Sequence, residues 1–368
     1  MKLQNTVSVD VDLHGVCLRV SSDLGLFTDY LGRVLGPLIC ASIPSPAIHS
    51  RLSWVDGPPP NGQSATFGVD EWDQRPDRDL YVAGRKAWWL RIDDLTSLKL
   101  AVDASGECMC LEGRYYFQLG RERGLERLRR WRHRSTMDRQ VSRRFSTLAY
   151  YLVYYPLLWV LSRSEGWHLL HGAAVADAHG AAVFCGMPGC GKSTLAVAML
   201  ADPAFHMLSD NLLLFDRREV LACPEPLLLD DRSRARAGHG ADRLRPTGET
   251  RVFDRHSYQT DDPVLEPRRP TAVFNVVRAR RTELTRLDSR TCIARVLAGN
   301  TMAKEVRRSL IMGEVLDVVC ERVAPEIRTP LTELLDGVPC FSLSVGENDD
   351  LSSVVETHVK PALTGPRG

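Results

Sequence analysis

One stretch of eight residues restricts the possible folds of this chain more than any other. Gly186-Met187-Pro188-Gly189-Cys190-Gly191-Lys192-Ser193 fits G-x-x-x-x-G-K-[ST]. A loop of this kind needs glycines where the backbone turns with positive φ and where its N–H groups converge on phosphate oxygens. Ala181–Cys185 before it is an apolar strand sequence, and Leu195, Ala196, Val197, Met199 and Leu200 after it suit a buried helix. The strand–loop–helix order predicts an α/β domain, with the positive end of the helix aimed at the phosphates. Lys192 is expected to reach the β and γ phosphates, Ser193 to hold Mg²⁺ and Thr194 to touch the α phosphate. ATP and Mg²⁺ are the expected cofactors, with residues 186–194 as the binding segment.

The remaining sequence frames that unit. A length of 368 residues predicts two domains, placed at 1–145 and 146–368. The first is expected to be a smaller α+β domain. It would hold a strand region with Val7, Val9, Val11, Val16, Leu18 and Val20, a helix from Leu24, and strands at Lys86–Ile92, Leu98–Val102 and Cys108–Phe117. Downstream, strands are expected at Trp167–Val175, at Met207 and Leu208, at Leu212–Phe215, Val220–Cys223, Thr271–Val277 and Val338–Val345. Helices are expected at 289–322 and 326–336. Residues 230–262, rich in charge, Gly and Pro, read as a mobile loop.

Several function classes are set aside by composition. A net charge of +1 argues against a nucleic-acid partner. The Arg-dense 121–144 stretch reads as a solvated helix face, with an acidic-peptide or phosphate landing strip as its sharper reading. Leu148–Leu161 is too short for the roughly 20 residues of a membrane span and contains Pro156, so a buried, kinked helix is expected and no membrane partner. The ten cysteines include no C-x-x-C pair and no basic-then-apolar segment opens the chain. Reduced thiols in a cytoplasmic protein are expected. Cys190, beside a helix start, reads as a small filler, with a redox switch as the alternative.

Three features ordered around the loop resemble the catalytic domain of the HPr kinase/phosphorylase family: His171-Gly172 with the Asp177 turn, the loop itself, and Leu208-Ser209-Asp210-Asn211. The resemblance covers about residues 166–216. It implies a P-loop kinase-like (HPr kinase-type) domain in which Asp210 is the catalytic carboxylate, acting as general base on an acceptor hydroxyl. His171 would sit near the phosphates, and Ser193, Asp210 and Asn211 would surround the metal. Asn211 stands where the family has a second acid, and the family's downstream glutamate segment has no match in 217–270. Gly299-Asn300 has a faint likeness to a C-terminal loop of the family. These departures put the reverse phosphorolysis in doubt and leave the kinase reaction.

The expected function is transfer of a phosphoryl group from ATP to a serine hydroxyl of a peptide or small protein, by likeness to kinases of ribosomally made (lasso-type) precursor peptides. A small-molecule kinase and a non-catalytic, ATP-gated binding or scaffold protein are the alternatives. The resemblance also implies a homo-oligomer.

Overall fold

The computed structural model describes residues 6–58, 73–75, 79–92, 95–117, 141, 144–247 and 255–364. Of the Arg-dense 121–144 stretch, all but residues 141 and 144 lie outside the described residues. The chain is mixed α/β and divides into two units. One is Met1–Val160 with Ile311–Ala324, and the other Leu161–Leu310 with Pro325–Gly368. The division therefore falls inside the apolar helix, not at residue 145, and a short downstream segment returns to the first unit.

The first unit is built on β1 (Val7–Leu13), β2 (Val16–Ser22), β3 (Ile48–Asp56), β4 (Asp73–Arg75), β5 (Leu80–Ala83), β6 (Lys86–Trp89), β7 (Leu98–Asp103) and β8 (Met109–Phe117). They form one sheet in the order β1-β2-β3-β8-β7-β6-β5-β4. The N-terminal valines make a hairpin because His14 and Gly15 both adopt positive φ, 54° and 86°. The Asp12 carboxylate accepts from the Gly15 N–H at 2.7 Å and holds the turn. Strict burial alternation along β2 and β7 buries one face of this sheet. The helix α1 (Gly25–Val34) packs against β1 and β2, burying Phe27, Leu31 and Val34.

Before Pro156 the apolar helix widens into a π-helical turn, Tyr150–Tyr154, then continues as α2 (Tyr155–Ser164). Proline cannot donate to the carbonyl four residues back, and the widened turn is the local response. Leu152 in that turn presses on β8 at Gly113, where an added Cβ would lie 3.1 Å from its methyl. The helix at Arg144–Ser164 is long and apolar enough to cross a membrane, yet 67% of its apolar window is buried in the protein.

The second unit carries β9 (His168–Ala176), β10 (Ala181–Cys185), β11 (His206–Ser209), β12 (Leu212–Phe215), β13 (Val220–Ala222), β17 (Pro270–Ala279), β18 (Glu283–Leu287) and β19 (Cys340–Gly346). The sheet order is β13-β12-β9-β10-β17-β19-β18, with β11 also paired to β9. Helices α3 (Lys192–Met199), α5 (Ser289–Met302) and α7 (Arg328–Leu334) cover it. Ala173, Val175, Ala182 and Phe184 enter one core with Leu195 and Val197 of α3. Ala174, Ala176, Val183 and Cys185 enter the other with Ile293 and Val296 of α5. Burial on both faces explains why β9 and β10 read as continuous apolar runs. β10, β17 and β19 are mutually parallel, so their carboxyl ends share one edge of the sheet.

Two expectations need correction. Residues 230–247 and 255–262 are ordered: α4 (Asp231–Arg236), a 3-10 turn Gly238–Arg243, and strands β14 (Leu227–Leu229), β15 (Leu244–Pro246) and β16 (His256–Thr260) in a small sheet. Residues 248–254 lie outside the described set. Ala237, Ala241, Leu244 and Tyr258, with Leu227 and Leu229 just before it, tie this polar stretch into the core around α3. The turn sits so close to α3 that a Cβ on Gly240 would fall on the Val197 carbonyl oxygen. The expected helix at 289–322 is two helices, α5 and α6 (Lys304–Cys320), separated where Ala303 takes an extended ψ of 125°.

Candidate active site

The Gly186–Ser193 loop joins β10 to α3. Gly186, Gly189 and Gly191 have φ of 133°, 79° and 107°, conformations that side chains disfavour. Gly186 is needed twice over, since a Cβ there would lie 2.5 Å from the Val276 carbonyl oxygen. No side chain caps α3, which begins at left-handed Gly191, so no side chain competes for its first N–H groups. Lys192 is only 5% exposed. Its ammonium donates to the carbonyls of Gly186 at 3.0 Å and Met187 at 3.1 Å, inside the curl of the loop. Met187, Pro188 and Gly189 are exposed, whereas Cys190 is buried with its Sγ 3.9 Å from the Lys192 amine. Cys190 thus packs as the filler its size suggests.

Asp210 and Asn211 make the turn between β11 and β12. Asn211 adopts φ 67°, which asparagine tolerates. The Ser209 hydroxyl braces the turn: it donates to the Leu212 and Cys223 carbonyls and accepts from the Cys223 N–H at 3.1 Å. This geometry turns Asp210 inward, 7% exposed. The Ser193 hydroxyl lies near its carboxyl, while Oδ1 is buried without a hydrogen-bond partner. Burial raises its pKa above the ordinary carboxylate value. The Ser193 hydroxyl, the Lys192 charge, the Asn211 N–H and the Arg255 charge oppose that rise.

His171 lies on β9, opposite Leu212 of β12. Its Nδ1 is 2.9 Å from the Asn211 carbonyl oxygen, which can only accept. The ring is therefore protonated at Nδ1, and Nε2 is a buried lone pair without a partner. Burial, and then the Lys192 charge, pushes its pKa down to about 4, so the imidazole is neutral at pH 7. The Lys192 charge thus acts on His171 and Asp210 alike. The loop, Lys192, Ser193, Asp210 and His171, expected together from sequence, do share one site.

Two contributors were not legible in the sequence. Glu225, in the stretch where no matching glutamate was found, accepts from the Asn211 side-chain amide at 2.9 Å through Oε2. Asn211 was expected as a metal ligand through its carbonyl oxygen; its side-chain NH2 donates to this carboxylate, which brings the second negative charge to the turn. Asn300 on α5 accepts from the His171 N–H at 2.7 Å and donates to the Leu169 carbonyl at 3.0 Å, pairing with β9 much as a strand would. Its neighbour Gly299 lets α5 approach the loop, since a Cβ there would lie 3.1 Å from the Gly186 carbonyl oxygen. Gly299-Asn300 was the available signal, but its meaning depends on α5 reaching the loop.

Among the described residues, no cluster of three or more His, Cys, Asp or Glu side chains is placed to hold a metal. Mg²⁺ beside a triphosphate does not need one, because phosphate and water oxygens fill most of its octahedral shell. The Ser193 hydroxyl next to the orphaned Oδ1 of Asp210 fits such an ion. No protein-family model matches the chain, and neither does any curated protein.

Proposed function

We propose that the second unit is a P-loop kinase-like domain of the HPr kinase type, which transfers the terminal phosphoryl group of ATP to a serine hydroxyl of a peptide or small protein. The single observation that carries this reading is the Asp210 carboxylate, buried beside Ser193 and within the field of Lys192, with Oδ1 unpartnered. A buried carboxyl left incomplete is costly to the fold and suits a group that must accept a proton.

In this reading the loop amides and the start of α3 hold the phosphates. Lys192 leaves its two carbonyl partners to meet the β and γ oxygens. Ser193 and Asp210 would hold Mg²⁺, which would supply charge neutralisation for the transferring group. Asp210 takes the proton of the incoming hydroxyl, and its raised pKa brings it closer to the operating pH. Neutral His171 offers Nε2 as an acceptor without adding positive charge. Glu225 restores at Asn211 the acidic character that an asparagine alone lacks, which weighs against a purely non-catalytic scaffold. All ten cysteines are free thiols, in keeping with a cytoplasmic setting.

The test is incubation of the full chain with γ-labelled ATP, Mg²⁺ and a panel of serine-bearing peptides and small proteins. Label on a serine that disappears with Asp210→Asn supports the reading. ATP binding without transfer to any hydroxyl in the panel sinks the kinase and leaves a nucleotide-binding protein.

A further inference from the structure

A cavity of about 170 Å³ opens beside the loop, lined on one side by Gly191 and Thr194 and on the other by Arg232, Arg236, Arg278 and Glu347. Lys192, Ser193, Asp210 and His171 do not line it. It adjoins the loop and the start of α3 at Gly191 and Thr194.

Its position follows from the sheet. The loop follows β10, Arg278 is the next-to-last residue of β17, and Glu347 immediately follows β19. These strands are parallel, so the cavity lies at their carboxyl ends, where open α/β sheets bind ligands. A triphosphate is a linear chain. If its terminal group faces Lys192 and Asp210, the rest of the nucleotide leaves the loop past Gly191 and Thr194, into this space.

The walls are held in place before any ligand arrives. Arg236 donates through Nη2 to the Gly346 carbonyl at 3.1 Å and to the Asp349 carbonyl at 3.4 Å, tying α4 to the end of β19. Thr282 secures the same turn, accepting from the Gly346 N–H at 3.1 Å and donating to Asp349 Oδ2 at 2.5 Å. Asp230 caps α4 through the Ser233 N–H at 2.6 Å. Arg236 is thus spent on structure. Among the described residues, no hydrogen bond holds the side chain of Arg232 or Arg278, and both are exposed at the rim.

We propose that this cavity seats the nucleoside half of ATP. The base lies against the guanidinium planes of Arg232 and Arg278, and Glu347 accepts from a ribose hydroxyl. Guanidinium groups stack on aromatic faces and donate to ring nitrogens, and carboxylates accept from hydroxyls. The proposal rests on the nucleotide reading above and adds to it which residues recognise the non-reacting end.

Two probes separate the two claims: ATP and inorganic tripolyphosphate, each with Mg²⁺, titrated into the full chain by calorimetry. The double variant Arg232→Ala/Arg278→Ala is expected to bind ATP about tenfold more weakly, with tripolyphosphate affinity within about twofold of wild type. Ser233→Phe, which fills the cavity from α4, should give the same selective loss by a steric route. Lys192→Ala should weaken both probes. ATP affinity that stays within about twofold in both cavity variants overturns the proposal while leaving the loop as a nucleotide site. Equal loss of ATP and tripolyphosphate in those variants also overturns it, since the cavity would then hold phosphate. A wild-type chain that binds neither probe removes the nucleotide reading itself, and this inference with it.

Discussion

Two buried aspartates, one in each unit, show how differently the same side chain can be used. Asp10 on β1 is 9% exposed and Asp210 is 7% exposed. Asp10 is complete. Arg19 donates to both of its oxygens at 2.7 Å and the Ile43 N–H adds a third bond at 2.7 Å. The Arg19 hydrogen bond, chiefly, holds its pKa below the ordinary value against the cost of burial. Asp210 has the Ser193 hydroxyl nearby, but its Oδ1 has no partner and burial wins, raising the pKa. Similar solvent exposure therefore says little about role. In the proposed reading, what separates the fastening Asp10 from the reacting Asp210 is whether the hydrogen bonds are closed.

The largest effect that could break this contrast concerns catalysis. Asp210→Asn should lower phosphoryl transfer by roughly 10²–10⁴-fold, the range for losing a positioned general base. Stability in urea should hold or rise, since a buried charge is gone. A variant that keeps its transfer rate but loses stability would make Asp210 a fastening like Asp10.

Next in size is a pH effect. His171 is held neutral with its pKa near 4 against 6.5 when exposed. The unfolded chain binds the proton first as pH falls, so the stability it contributes is complete above pH 6.5 and is lost on the way down to about 4. That loss amounts to up to about 3 kcal/mol in the second unit. Asp10 acts only at lower pH, because its depressed pKa keeps it charged until the medium is more acid than its ordinary 3.8. Urea midpoints taken between pH 7 and 4.5 should fall in the wild type and flatten in His171→Leu; parallel curves would remove the buried neutral imidazole.

Asp10→Ala should then cost about 2 kcal/mol in unfolding of the first unit, because Arg19 and the Ile43 N–H lose their acceptor. Arg19 is partly exposed, which keeps the figure modest. ATP affinity should not change. An altered affinity with intact stability would show that Asp10 is more than a structural clasp.

The smallest expected effect sharpens the picture of the turn. Glu225→Gln should reduce transfer about tenfold while leaving ATP affinity nearly unchanged, as for a group acting through a neighbour. Its charge would be lost while a hydrogen-bonding partner for Asn211 remains. An unchanged rate would assign Glu225 to holding the turn alone.

Much of this arrangement was readable along the chain. Gly186, Gly189 and Gly191 announce positive φ, and the apolar runs of β9, β10 and β12 announce strands. Each depends on backbone preference within a few residues, which adjacent side chains dictate. The polar 230–262 stretch misled because Ala237, Ala241, Leu244 and Tyr258 suffice to anchor it once α3 offers a surface. The boundary expected at 145 falls at Val160/Leu161 because the division between units is set by what packs on the helix, not by its own composition.

What the amino-acid order determined unaided was the glycine-rich 186–193 loop, the strand before it and the helix after it, since their conformations are local. Tertiary structure alone decided that Glu225 arrives at Asn211, that Asn300 takes hold of β9, and that Asp210 and His171 each keep one polar atom dry and unpaired. Desolvation and hydrogen-bond closure depend on groups far apart in sequence, so they exist only once the chain has packed.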